Sequence, residues 1–455
     1  MAAGMSYASS VPPNNPLKSP HVLQLPIFRE TNRYVAEISV GTPPQKVNMT
    51  IDIGSAFTWI LAPKAEPQGN EQRYNSSASS TYKPDHLDVF SASRNEHRIQ
   101  GHRAIEKLIV DGVQFPNIQI STVQNSTLKM NGILGLGYAS GVSHHGRHEG
   151  QAQTFLDNLA KEGTIHYKAY SIHLDKDTET GTILFGGMDT SKFHGSITGL
   201  PIVPHTDATG HKSYHALQVM IVSLELGKNG SIAYNIPAIL DPSSRISHLQ
   251  KGVFEPLLEK FRNSQPGYPD SHFKEVEVGT QKIHTVDCTI REDVSNENVT
   301  FCFGGVEGAK IDVPLSDLVL KAPGCSDERS STETTPCLCF LAFNQSPMVK
   351  SANDSSPFEI TVLGEAILRY AYVVYDLQDN KISMAQKNFE SAKSNIVELG
   401  KEAKSLSLPE KEPLTSSAHS PKQAHPASAA LVLRPSSVLY PACMLLLSLI
   451  VQVGV

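Results

Sequence analysis

The sequence predicts a large all-β protein with enough chain for two hydrophobic cores. It has 455 residues, of which 40% are hydrophobic and 18% charged. Its 31 glycines and 29 prolines supply turn residues throughout. Tyr34, Ala36, Ile38 and Val40, then Val47, Met49 and Ile51, recur at every second position, as the buried faces of strands do.

The elements follow in chain order. Met1 to Leu25 is rich in Pro, Ser and Asn and reads as a disordered lead-in. Gly41-Thr42-Pro43-Pro44 breaks the first alternating stretch into an antiparallel hairpin. The second strand of that hairpin runs into Asp52-Ile53-Gly54-Ser55, an aspartate entering a tight turn that ends in a hydroxyl residue. Asp241-Pro242-Ser243-Ser244 repeats this arrangement in the second half of the chain. Two short amphipathic helices are expected, one near Thr154 to Lys161 and one near Val253 to Phe261, where Phe254, Leu257, Leu258 and Phe261 share a face.

Four further stretches stand in a fixed order around the two aspartates. They are Tyr34-Val35-Ala36-Glu37-Ile38-Ser39-Val40-Gly41-Thr42-Pro43-Pro44-Gln45, Asn131-Gly132-Ile133-Leu134-Gly135-Leu136-Gly137-Tyr138, Gly181-Thr182-Ile183-Leu184-Phe185-Gly186-Gly187-Met188-Asp189, and Val362-Leu363-Gly364-Glu365-Ala366-Ile367-Leu368-Arg369 with Val373-Val374-Tyr375-Asp376. Together with the aspartate turns, this set resembles the pepsin-type aspartic peptidases, fungal secreted and GPI-anchored members included, from about Phe28 to Gln386. The resemblance implies a bilobal fold: two mostly antiparallel β lobes related by a pseudo-twofold axis, with a long cleft between them. The expected organisation is a disordered segment over 1–27, an N-terminal β lobe over 28–203, a C-terminal β lobe over 204–388, a Ser-, Pro- and Lys-containing stalk over 389–437, and an apolar tail over 438–455.

The resemblance also implies chemistry. Asp52 and Asp241 would be the catalytic pair, two carboxylates sharing one proton, for which this family is the standard illustration. The ionised member takes a proton from a bound water while the protonated member donates to the scissile carbonyl. In the family each aspartate is followed by Thr and Gly. The threonine hydroxyl crosses to the opposite loop, and Ile53 and Pro242 have none to offer. Gly54 keeps the glycine that lets a backbone N–H approach the carboxylate, whereas Ser243 replaces it with a bulkier residue. Ser55 and Ser244 occupy the positions whose hydroxyls bond the outer carboxylate oxygens, so the inner scaffold is expected to be lost and part of the outer one kept. Trp59 stands where the family places it, after the first loop. The covering hairpin, roughly Leu87 to Gly112, lacks the family's tyrosine, and Phe90 cannot donate in its place.

Losing one preorganised donor costs about a hundredfold in rate, roughly 3 kcal/mol. Several losses converge here, so the expected function is an aspartic-type endopeptidase homologue with impaired hydrolysis. The alternative is a non-catalytic relative whose cleft binds extended peptides or a protein partner. No cofactor is implied, and a monomer is expected.

Other readings are narrower. A net charge of −6 and the absence of any basic run argue against nucleic acid as a partner. His144, His145 and His148 read as a polar surface loop and not as a metal site, and the Gly132 to Gly137 and Gly186-Gly187 stretches read as turns and not as phosphate cradles. Five of the six cysteines, Cys288, Cys302, Cys325, Cys337 and Cys339, lie in the second half, and disulfides are their better reading in an exported chain. By the resemblance, one bridge closes a loop of the second lobe, from Cys288 to either Cys325 or Cys337. Glycosylation sequons begin at Asn48, Asn75, Asn125, Asn229, Asn298, Asn344 and Asn353, with Asn48 expected to stay unmodified inside its strand.

Val438 to Val455 is uncharged and apolar. The small residues Ala427-Ser428-Ala429 lie upstream of it, as in a glycolipid anchor signal, and a single membrane-spanning helix is the other reading. Both place the globular part at the cell surface or outside the cell. No apolar run near Met1 serves as a signal peptide, so the expectation is an incomplete start or an unusual export route.

Overall fold

A computed structural model describes residues 21–30, 33–63, 72–94, 97–126, 130–139, 153–176, 178–206, 209–227, 230–263, 273–278, 281–294, 297–305, 307–322, 338–348 and 359–400. Strands dominate it, as the sequence predicts. The largest sheet has 13 strands and draws on both halves of the chain: Ala371–Asp376 and Lys381–Gln386 from the second half join Ala169–Leu174 and Thr180–Phe185 from the first. A seven-stranded sheet, a four-stranded sheet and the two-stranded pair His205–Thr206 with Lys212–Ser213 hold the other described strands after residue 204, apart from Ile396–Glu398. The pairing is mainly antiparallel. The exceptions include the two places that matter most, where Gln45–Asp52 runs parallel to Gly132–Gly135 and Ser231–Leu240 runs parallel to Thr361–Leu363.

These parallel pairs explain two glycines. A Cβ on Gly135 would lie 2.5 Å from the Phe57 carbonyl oxygen, and one on Gly364 would lie 2.5 Å from the Ser244 carbonyl oxygen. In each half the strand beside the aspartate can approach the turn only because no side chain intervenes.

Both expected helices form. Phe155–Lys161 is capped by Thr154, whose hydroxyl accepts from the Asp157 N–H while the Asp157 carboxylate accepts from the Thr154 N–H. Lys251–Arg262 buries Val253, Phe254, Leu257, Leu258 and Phe261 against the second half, with Phe254 and Phe261 both meeting the Phe343 ring.

Three expectations need correction. Strand Leu23–Glu30 begins inside the segment read as disordered, because Leu23, Leu25 and Ile27 alternate inward and pair with Thr180–Phe185. Strand Ile396–Glu398 lies inside the expected stalk and pairs with Gly187–Asp189, and Leu399 is buried beside Met188 and Tyr372. The disulfide joins Cys288 to Cys339, because the pairing of Gln281–Asp287 with Leu338–Leu341 brings their Cα atoms to 5.1 Å. Cys325 and Cys337 lie outside the described residues, as do the His144 to His148 loop, the remaining stalk and the apolar tail. Among the described residues, no helix is long and apolar enough to cross a membrane.

Candidate active site

Each aspartate turn is gripped by its parallel neighbour. The Asp52 carbonyl accepts from the Leu136 N–H at 2.8 Å, and the Ser55 carbonyl accepts from the Gly137 N–H at 2.8 Å. In the other half the Asp241 N–H donates to the Leu363 carbonyl at 2.9 Å, and the Ser244 carbonyl accepts from the Glu365 N–H at 2.7 Å. The matching grips on Ser55 and Ser244 are the structural trace of a repeated unit. Both aspartates are deeply buried, Asp52 at 3% and Asp241 at 7% exposure.

The donors around the two carboxylates differ from expectation in both directions. Gly54 N–H donates to Asp52 Oδ1 at 2.8 Å, as its glycine suggests. Ser243 was expected to interrupt the equivalent approach, yet its N–H donates to Asp241 Oδ1 at 3.0 Å and its hydroxyl donates to the same oxygen at 2.7 Å. The conformation needed at this position does not require positive φ, so serine can adopt it. Conversely, Ser55 Oγ is bonded to the Phe57 backbone, accepting from its N–H at 3.1 Å, and Ser244 Oγ donates to the Ile246 carbonyl at 2.7 Å. These hydroxyls brace their own turns instead of the outer carboxylate oxygens. The carboxylate-facing N–H is therefore present in both turns and the two outer hydroxyls are redirected, while Ile53 and Pro242 offer no hydroxyl to the opposite turn, as the sequence reading has it. Ile53 is buried in the apolar core, so its side chain adds packing where a hydroxyl was wanted.

Burial raises the Asp241 carboxyl above the ordinary carboxylate value, and the two Ser243 donors oppose this. Burial, with the charges of Asp52 and Asp241 reinforcing it, holds the Tyr170 phenol well above its usual value. Arg33 enters the site from the first strand pair. Arg33 opens the strand Arg33–Val40, which pairs with Gln45–Asp52 from Val35 opposite Thr50 onward. Burial lowers the Arg33 pKa, while Asp52 and Glu30 pull it back up. Arg33 was missed because it precedes the alternating run, and only the pull of Asp52 on its charge in the folded chain reveals it.

Trp59 is buried with Leu61, Ile99, Val123, Met130 and Ile133. Ile99 belongs to the strand His97–Val110, which forms a hairpin with Lys83–Arg94, and it lies two residues from the turn, so the tryptophan's cluster reaches the covering hairpin near its tip. The Phe90 side chain lies outside the described residues. Among the described residues, no group of His, Cys, Asp and Glu is arranged to hold a metal ion.

Comparison with known proteins bears on this geometry. The family model for eukaryotic aspartyl protease matches residues 33–387, from the strand carrying Arg33 to the end of the central sheet. The chain belongs to that family. It is 28% identical over 387 residues to the probable aspartic-type endopeptidase OPSB of Arthroderma benhamiae, covering 82% of this chain and 72% of that protein. Secreted aspartic protease 3 of Candida albicans is 27% identical over 384 residues, covering 82% and 84% respectively. Barrierpepsin of Saccharomyces cerevisiae is 28% identical over 397 residues, covering 79% of this chain and 61% of its own. As a eukaryotic aspartyl protease homologue, the chain carries both aspartate turns inside the matched stretch.

Proposed function

We propose that this protein is an extracellular aspartic endopeptidase homologue that holds extended polypeptides in its cleft and hydrolyses them slowly, with Asp52 and Asp241 as the reacting pair. The observation that carries the reading is the double donation from Ser243 to Asp241 Oδ1. A carboxylate oxygen has two lone pairs, and both on this atom are already engaged, so a nucleophilic water can approach Asp241 only through Oδ2. Burial of Asp241 and the pull between the Arg33 and Asp52 charges bias the shared proton towards Asp241, which would act as the acid while Asp52 receives the proton of the water. The missing hydroxyls at positions 53 and 242 lower the rate further by leaving the two turns without a direct side-chain tie.

The same saturation, if complete, gives the second reading, a cleft that binds without cutting. Incubation of the purified protein with an unstructured protein at acidic pH separates the two. Slow cleavage that disappears in Asp52→Ala supports the first. Inhibitor-dependent thermal stabilisation without cleavage supports the second, and neither cleavage nor stabilisation would overturn both. The sequons and the uncharged stretch Val438–Val455 support a surface location, with a GPI-type tail as the simplest tether and a monomer as the expected form. Release from membranes by a phosphatidylinositol-specific phospholipase would test the tether.

A further inference from the structure

Beneath the aspartate turns, the two halves of the chain meet through a pair of tyrosines. Tyr170, in Ala169–Leu174, and Tyr375, in Ala371–Asp376, are direct partners across the antiparallel pairing that joins the halves. Their rings stack with centroids 5.0 Å apart and an interplanar angle of 21°. Both are fully buried in the main core. Tyr170 Oη donates to the Leu136 carbonyl at 3.2 Å, and Tyr375 Oη donates to the Leu240 carbonyl at 2.9 Å.

The two carbonyls belong to peptide groups with specific duties. The Leu136 carbonyl is joined to the Gly137 N–H, which holds Ser55 at the end of the first aspartate turn. The Leu240 carbonyl is joined to the N–H of Asp241 itself, which donates to Leu363. Each phenol thus grips the peptide that fixes one aspartate turn, and the ring stack ties the two grips together. No hydroxyl at position 53 or 242 can make a tie at the level of the carboxylates, so this stack is a direct side-chain connection lying below both turns.

We propose that Tyr170 and Tyr375 form an inter-lobe clamp that positions the Asp52 and Asp241 turns relative to each other from below. They are positioning residues, since neither touches the reacting atoms. Burial, reinforced by nearby carboxylates, holds both phenols protonated well above their usual range, so the two hydroxyls remain donors at any assay pH. The clamp concerns the same site as the proposed function, but its existence does not require that the site cut anything.

Amide hydrogen exchange on the whole protein tests it without any ligand. Tyr170→Phe and Tyr375→Phe keep the ring stack and remove one hydroxyl each. Tyr372→Phe is the control, because Tyr372 is equally buried on the same strand as Tyr375 but bonds Ser171 and Asp189 on the other face. The expected result is exchange about fivefold faster per hydroxyl removed at Gly137 and Asp241, and no acceleration there in Tyr372→Phe. Equal exchange in all three variants, or acceleration spread evenly over the core, would overturn the clamp. Where the unaltered protein binds a statine-type inhibitor, affinity should fall in the two clamp variants and hold in the control. Failure of the unaltered protein to bind speaks against the proposed function and leaves the exchange result to decide the clamp.

Discussion

Ser243 donates its backbone N–H and its hydroxyl to the same oxygen of Asp241, at 3.0 and 2.7 Å. Both bonds favour the ionised carboxylate and work against the burial that raises its pKa. Ser243→Ala removes one of them and therefore raises the Asp241 pKa further. The pH at which a statine-type inhibitor loses affinity on the alkaline side should move up by about one unit. Inhibitor titrations across pH would show this shift, and an unmoved alkaline limb would count against the bond.

Glu365 ties the second aspartate turn to the first half of the chain. Its N–H holds Ser244, and its buried carboxylate accepts from Tyr34 Oη at 2.8 Å and pairs with Arg29 and Arg369. Glu365→Gln leaves the Arg29 guanidinium, itself almost fully enclosed, with only the more distant and exposed Glu179. Urea unfolding should show a loss of about 3 kcal/mol. Glu179→Gln, on the exposed partner, should cost less than about 1 kcal/mol.

Stability should respond to acid through His248. The ring is 4% exposed, and burial lowers its pKa from 6.5 to about 4. The unfolded chain takes up a proton that the native state refuses, so the contribution is present above pH 6.5 and is lost as pH falls towards 4. At full extent this is about 3 kcal/mol. Asp241 acts in the opposite sense: its raised pKa favours the fold at low pH, and that contribution fades as pH rises through the folded value. Thermal midpoints between pH 4 and 7 should therefore fall less on acidification in His248→Phe than in the unaltered protein. Asp241→Asn should gain stability at neutral pH relative to acid.

Glycans should follow exposure and not sequons alone. Asn344 is 2% exposed in the strand Phe343–Gln345, which pairs with Ser247–Leu249, so the folded protein cannot present it for modification. Asn75, Asn125 and Asn298 are exposed. Peptide mass spectrometry of protein from a eukaryotic host should find glycans at those three sites and none at Asn344. An occupied Asn344 would contradict the second-half strand arrangement.

Much of the architecture was legible because it is written locally. The period-two stretch from Tyr34 to Ile51, the Thr154 cap and the apolar face of Phe254, Leu257 and Phe261 each depend on near neighbours, and each formed as read. What escaped depends on contacts distant in sequence. Cys339 meets Cys288 only through a strand pairing, Ile396–Glu398 becomes a strand only against Gly187–Asp189, and Arg33 feels the Asp52 charge only in the folded chain. At the site itself, residue type misled. A hydroxyl at position 55 or 244 signals a donor but not its acceptor, and each found a backbone group of its own turn. Ser243 looked like a steric obstacle and became an additional donor.

The most direct test combines Ile53→Thr, Pro242→Thr and Ser243→Gly and measures kcat on an unstructured polypeptide at acidic pH. If the altered turns are what slow the reaction, kcat should rise at least about a hundredfold over the unaltered protein, and Asp52→Ala in the same background should abolish it. A correctly folded triple variant with unchanged kcat would contradict the account.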